Sequence, residues 1–385
     1  MFLLNRTLKK LREKTFSEAK LEKIVKKYDH PLVWKYISQC QPLFLSFIEK
    51  HADKLNWRDI SAYQKLPPSF IKKYADKLDW GIMSSKQKLP ESLIKEHSDK
   101  VYWTDIVVFQ NLSDEFIEQF ANLLPWDYLL QYQIVPKSFI EEHADKINWY
   151  LVSKYQPLSE AFIEDYADRV RWNYISSHQL LSESFIEKYA NRLNWKRLSM
   201  CQPLSEAFIN KHAFRLDWGY ISKYRPLSEF LIEKHSDLVD WESIAKHQKL
   251  SKPFIKKYAD KLNMKYIKDS WHYKSTEEKK KAIVKTGLYE CHADYFIAFK
   301  AVRPKRVSMF NCHFVYNRGI TYETWADTSR EEDSFGFGCG TYKYAQMYSE
   351  NVASQIIKVI VYYEDVARVI HKGHKIRAFK IKPVL

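Results

Sequence analysis

Tryptophan recurs in this chain at a fixed interval. Trp34, Trp57, Trp80, Trp103, Trp126, Trp149, Trp172, Trp195, Trp218 and Trp241 each stand 23 residues apart, and Met264 occupies the next mark. A constant period without insertions is the signature of a repeat array, in which one supersecondary unit is copied and neighbours bury each other's apolar faces. That single feature excludes most folds for the first two thirds of the chain.

The unit beginning at Ser159 shows why it is helical. Phe162, Ile163, Tyr166, Ala167 and Val170 fall on one face of an α-helix. Ser159 is an N-cap candidate, and Ser113, Ser182, Ser205, Ser228 and Ser251 recur in phase with it. Pro67, Pro90 and Pro136 take that place in other units, which also suits a helix start. A second, shorter helix is expected to begin at each tryptophan, with Trp172 and Ile175 inward and Gln179 closing the element. Asn or Asp commonly precedes the tryptophan, as at Asn148 and Asp217, and fits a cap between helices of about eleven and seven residues. The expected architecture is mainly α: an α-solenoid of 23-residue helix pairs over residues 1–271, then a small α+β module over 272–385.

Several polar positions keep the same phase. Gln41, Gln64, Gln87, Gln110, Gln133, Gln156, Gln179, Gln202 and Gln248 form a row interrupted by Arg225. Their amides are expected to satisfy helix-end groups between repeats, the alternative being a ligand ladder. A cation stands three before many tryptophans (Lys54, Lys77, Lys100, Lys146, Arg169, Arg192, Arg215, Lys261). It suits a helix C-terminus electrostatically, against the alternative of a phosphate-tracking stripe diluted by Asp53 and Asp76. Two after the tryptophan, Tyr36, Ile82, Tyr128, Tyr174, Tyr220 and Tyr266 alternate with Asp59, Asp105, Leu151, Arg197 and Ser243, so a 46-residue superperiod is expected. These variable positions point away from the Trp/Ile face. Tyr36, Tyr128, Tyr174, Tyr220, Lys196 and Arg197 are therefore the candidate partner-binding residues, tyrosine offering contact area with a polar tip.

Composition changes near Trp271. Six of the eight glycines lie from Gly287 onward, and residues 272–385 hold 19 Lys and Arg against 12 Asp and Glu within a chain of net charge +15. Strands are expected at 294–302, 314–316, 320–325, 354–363, 366–371 and 376–384, with helices at 279–284 and 341–349. The tail carries a basic cluster that includes Arg368, Lys372, Lys375 and Arg377; nucleic acid is one reading and a solvated hairpin the other. Gly336, Gly338 and Gly340 before the helix are weak evidence for a phosphate cradle, their spacing matching no nucleotide fingerprint.

Five cysteines without framework spacing imply a reducing compartment, and Cys291-His292, Cys312-His313 and Cys339 match no usual zinc site, so no metal and no cofactor are expected. The apolar run at Met1-Phe-Leu-Leu is too short for a signal peptide, and no stretch is long enough to span a membrane.

The run Phe335-Gly-Phe-Gly-Cys-Gly-Thr-Tyr-Lys-Tyr-Ala345, followed by Ile356-Ile-Lys-Val-Ile-Val, Glu364-Asp-Val-Ala and Lys375-Ile-Arg-Ala-Phe-Lys-Ile, resembles the C-terminal module of phage rapid-lysis B-like proteins. It is similar also to modules of phage and large-DNA-virus repeat proteins. The resemblance covers about residues 290–385 and implies a viral protein acting in the host cytoplasm; it transfers no catalytic residue. The array is accordingly expected to bind a host or viral protein and modulate host processes, with nucleic acid as an alternative partner and no membrane insertion. A loose likeness to ADP-ribosyltransferases offers an enzymatic alternative through Arg303, Tyr344 and Glu364.

Overall fold

A computed structural model describes residues 2–309, 314–329, 331, 334–349 and 354–384. It contains 25 α-helices among the described residues, nearly all in the 23-residue rhythm, followed by an antiparallel sheet. Two compact units emerge, Met1–Leu129 and Leu130–Leu385. The change from helices to strands near residue 271 falls inside the second unit, which joins the repeats from Leu130 onward to the C-terminal module.

Each repeat is built as its residues dictate. Ser159 Oγ accepts from Phe162 N–H at 3.2 Å and starts the helix Glu160–Asp165. That helix has six residues rather than about eleven. The N–H of Tyr166 closes it on Phe162, and a separate turn follows in which Arg169 and Val170 bond back to Tyr166. The short helix starts at the tryptophan as expected, over Trp172–His178. Before it, Asn or Asp caps recur: Asn148 accepts from Tyr150 N–H and Asp217 from Tyr220 N–H. The first unit departs from this pattern at its start, where Pro31 opens a ten-residue helix, Pro31–Cys40, that carries Trp34 in its first turn.

The tryptophans pack between repeats, Trp34, Trp80, Trp149 and Trp218 buried and the others of the row half-buried. Trp149 Nε1 donates to the Ala144 carbonyl at 2.8 Å, and its ring lies 4.9 Å from that of Tyr166 in the next repeat. The small residue five before the tryptophan supplies a carbonyl in the same way in most repeats, from Ala52 to Ser236, while Trp34 donates to the Asp29 carboxylate instead. Within each unit, consecutive tryptophan-led helices pack side by side.

The module has eight strands among the described residues: β1 (Glu290–Cys291), β2 (Tyr295–Val302), β3 (Tyr322–Glu323), β4 (Phe337–Gly340), β5 (Gln355–Tyr362), β6 (Val366–Ile370), β7 (Lys375–Ala378) and β8 (Lys380–Pro383). Their order is β3-β8-β5-β2-β4-β7-β6, all antiparallel, with β1 beside β2. The helix Tyr342–Ser349 packs on β2 and β5. Phe296, Ala298, Val359, Val361, Ile376 and Ala378 form the buried core.

Three local expectations change. Residues 376–384 form two strands rather than one, because Phe379 leaves the ladder and its N–H turns to the Asp365 carbonyl. The expected strand 314–316 reduces to a single bridge between Val307 and Val315. The glycine run is not a loop before a helix: Phe337–Gly340 is an interior strand between β2 and β7. Gly336 and Gly340 answer to close approach. A Cβ on Gly340 would stand 2.2 Å from the His374 carbonyl oxygen, and Gly336 combines φ +117 with a Cβ position 2.7 Å from Ala326.

Candidate functional site

The polar rows resolve into cross-repeat clamps. Gln179 Nε2 donates to the carbonyls of Ser153 (2.9 Å) and Gln156 (3.0 Å), while its Oε1 accepts from Leu158 N–H at 2.9 Å. One amide therefore satisfies two last-turn carbonyls and one loop N–H of the preceding repeat. Gln64, Gln156, Gln202 and Gln248 repeat that geometry. Arg225 cannot accept, so Leu204 N–H turns instead to the Gln202 carbonyl and Arg225 Nη2 donates to Met200 O at 2.7 Å. Burial lowers the Arg225 guanidinium to about 10.

A second row escaped the sequence reading although its phase is as regular. Four after the tryptophan, Ser38, Ser61, Ser84, Ser153, Ser176, Ser199 and Ser222 are fully buried. Ser176 Oγ donates to the Trp172 carbonyl at 2.7 Å and accepts from Asn194 N–H of the next repeat at 2.9 Å. The cation row is likewise engaged between repeats. Lys100 meets Asp76 at 2.7 Å, Arg169 meets Asp145 at 2.6 Å, and Arg192 meets Asp168 at 3.3 Å while lying over the Trp172 ring. These acidic partners leave little of a phosphate-tracking stripe.

The variable positions after the tryptophan do reach the surface. Tyr128 is 46 % exposed, Lys196 and Arg197 are exposed, and Tyr36, Tyr174 and Tyr220 are half-buried. Within the second unit they join one strip. The Tyr150 and Tyr174 rings meet edge to face at 4.7 Å, with Lys154 Nζ 5.5 Å and 5.8 Å from their centroids. Lys196 Nζ lies 5.6 Å over the Tyr220 ring, which stacks on Tyr224, and Tyr224 meets Phe335 of the module at 4.9 Å. The four helices Trp149–Tyr155, Trp172–His178, Trp195–Cys201 and Trp218–Tyr224 carry no Asp or Glu, but do carry Lys154, Lys196, Arg197 and Lys223. Of these, Lys223 pairs with Glu331 at 2.9 Å.

The basic cluster of the tail is divided. Lys372 is exposed and Lys375 half-buried, whereas Arg368 and Arg377 are buried. Arg368 Nη1 donates to the carbonyls of Asp269 (2.9 Å) and Thr328 (3.1 Å). Arg377 Nη1 donates to Asp327 Oδ2 at 3.2 Å, and Asp327 Oδ1 faces His247 Nδ1 at 2.8 Å. Arg368 fastens the module to the repeats directly, and Arg377 does so only through Asp327, which faces His247. Burial works against the Asp327 charge, yet His247 and Ser329 overcome it and hold its carboxyl well below the usual range.

Arg303, Tyr344 and Glu364 are not assembled. Arg303 follows the β2 end where Val302 pairs with Gln355, and Glu364 follows the opposite end, where Tyr295 pairs with Tyr362. At about 3.3 Å per residue that separates them by roughly 25 Å along the strands. Arg303 Nη2 instead donates to the Gln131 carbonyl at 2.8 Å. Cys339 is buried and Cys291 exposed, while Cys312 and His313 lie outside the described residues. No group of three metal-ligating side chains occurs among the described residues.

Tyr344 does line a cavity of about 750 Å³ in the module, with Lys300, Tyr316, Gly338, Cys339 and Tyr348. Lys300 Nζ donates to the Gly338 carbonyl at 2.8 Å and lies 5.2 Å from the Tyr316 centroid. Burial lowers this amine to about 8 and raises the Cys339 thiol to about 12. The sequence did hold a signal for Lys300, since it is the one charge inside the apolar strand YFIAFKAV.

No family model matches this chain, and no curated protein or solved structure is significantly similar to it.

Proposed function

We propose that this chain is a binding protein whose tryptophan-led helices hold a protein partner. The observation that supports the reading is the strip of the second unit formed by four helices that carry no carboxylate of their own, where Tyr150, Tyr174 and Tyr220 stand with Lys154, Lys196 and Arg197. The polar rows within the repeats are consumed by the clamps, so the freedom to vary is concentrated on this surface. Half-buried tyrosine beside cations on helices that carry no carboxylate favours an acidic protein surface carrying aromatic or apolar residues, because tyrosine orders at low entropy cost and the cations steer an anionic partner. On the resemblance of residues 290–385 to phage rapid-lysis B-like modules, that partner is a protein of an infected cell. The enzymatic alternative has no comparable support, since Arg303 and Glu364 stand at opposite ends of the β2–β5 pair.

Affinity capture from infected cells tests this reading, with the full chain compared against Tyr174→Ala/Arg197→Glu and against Tyr128→Ala/Tyr174→Ala. A partner retained by the unaltered chain should be lost or weakened at least tenfold in both variants, at unchanged melting temperature; the first should also reduce the salt sensitivity of what binding remains. Capture that survives both variants assigns these side chains to the scaffold and sinks the proposal. Retention of a single-stranded oligonucleotide in place of protein, lost in the same variants, would replace it with nucleic-acid binding.

A further inference from the structure

The cavity of the C-terminal module has features that a packed sheet core does not need. Its floor comes from β2 and β4, and the helix Tyr342–Ser349 closes one side through Tyr344 and Tyr348, whose hydroxyls are 2.9 Å apart. A volume of about 750 Å³ lies within the usual size of small-molecule sites. The described lining residues include aromatic rings on several sides, the two lysines Lys300 and Lys375, and no Asp or Glu.

Lys300 is the informative residue. It is half-buried, lines the cavity, and its described polar contact is the Gly338 carbonyl. A largely buried ammonium with no carboxylate beside it among the described residues is costly to build into a sheet, and an apolar side chain of the same length would fit with less penalty. The groups facing it from neighbouring elements are Cys339 on β4, Tyr316 before β3, and Tyr344 and Tyr348 on the helix. Cys339 and Tyr316 are kept neutral by burial, so neither supplies a counter-charge near neutral pH. Gly338 adds a second, independent sign. Unlike Gly336 and Gly340, whose Cβ positions are blocked, a Cβ on the cavity-lining Gly338 would meet none of the described residues within 4 Å.

We propose that this cavity is a binding site for a small aromatic anion, with its rings among the tyrosines and its single anionic group on Lys300 Nζ. The site is independent of the partner strip on the repeats, and either can stand without the other. A ligand anion supplies a counter-charge that the described lining residues do not, and the buried setting makes that charge-assisted bond strong. Because burial holds the amine near 8, the anion binds fully below about pH 7 and is lost as pH rises past 8.

The test uses the full chain and 1-anilinonaphthalene-8-sulfonate, an aromatic monoanion whose fluorescence rises in apolar surroundings, beside the uncharged N-phenyl-1-naphthylamine. Saturable binding of one sulfonate probe per chain is expected, at least tenfold tighter than the neutral probe at pH 6.5, with that advantage shrinking between pH 7 and 9. Lys300→Met should weaken the sulfonate probe roughly tenfold to a hundredfold, the worth of a charge-assisted hydrogen bond, while the melting temperature holds or rises. Gly338→Val should abolish binding of both probes with the fold intact, and Lys372→Gln on the exposed turn should change nothing. Absence of saturable binding, equal affinity for the neutral probe, or undiminished sulfonate binding in Lys300→Met overturns the proposal. The comparison of the two probes on the unaltered chain decides the matter even if a variant fails to fold.

Discussion

Gln179 shows how one side chain can hold a repeat interface. Its amide is the partner of three backbone groups belonging to the preceding repeat. Truncation leaves them buried and unsatisfied, at about 1–3 kcal/mol each before relaxation, so Gln179→Ala should cost about 2–4 kcal/mol in urea unfolding. A loss below about 0.5 kcal/mol would show that water replaces the amide without penalty. His272 works through burial instead. It lies 5.3 Å from the Trp325 ring, its Nε2 is 3.0 Å from the His247 carbonyl, and burial pulls it down to about 4. Between that value and its unfolded value near ~6.5 the unfolded chain binds the extra proton, so stability is present above pH ~6.5 and declines as pH falls toward 4. The expected loss is on the order of 3 kcal/mol, read as a falling urea midpoint, and His272→Gln should flatten that portion of the profile. An unchanged slope in the variant would place the titration elsewhere.

At the scale of elements, neither six- nor seven-residue helices are stable alone, since helices shorter than about twelve residues are marginal in water. The pair exists because its apolar face is covered by the next pair. Trp149 is central to that cover: it is 9 % exposed, bonded to Ala144 behind it, and set against Phe162 and Tyr166 ahead. Trp149→Ala should therefore cost about 3–5 kcal/mol, the range for buried aromatics, and should disturb both neighbouring repeats. An unmoved melting curve would remove the row from the core. Ion pairs such as Lys100–Asp76 sit on the same interfaces but face solvent. Asp76→Asn should leave the melting temperature in place, as exposed pairs contribute little.

For the second unit as a whole, attachment of the module to the repeats depends on a few buried polar contacts. Asp327 is fully enclosed and gathers His247 from a repeat helix, Ser329 from its own loop and Arg377 from β7. Breaking such a network strands the remaining charge, with typical costs of about 3–5 kcal/mol. Asp327→Asn should lower the stability of the module preferentially and split denaturant unfolding into two transitions. A single transition at the original midpoint would mean that apolar packing alone joins the two parts. Among the described residues no helix is long and apolar enough to cross a membrane.

The repeat was legible because its information is local and copied. Helix faces, caps and the clamp role of Gln156 or Gln179 follow from residues a few positions apart, and every copy must satisfy the same neighbour. The serine row, from Ser38 to Ser222, is equally local, since each member stands four residues after its tryptophan. In the module the deciding contacts join residues far apart in sequence. Phe337–Gly340 became an interior strand because β2 and β7 close on either side of it, which glycine spacing cannot announce. Arg368 and Arg377 read as a basic tail until Asp269, Thr328 and Asp327 were brought against them. Arg303 and Glu364 were separated by the antiparallel register of β2 with β5, and Lys300 acquired its cavity from a helix more than forty residues later. A periodic sequence fixes what each copy does to the next, whereas the register of a sheet, and so the position of its charged side chains, is settled only when distant strands pair.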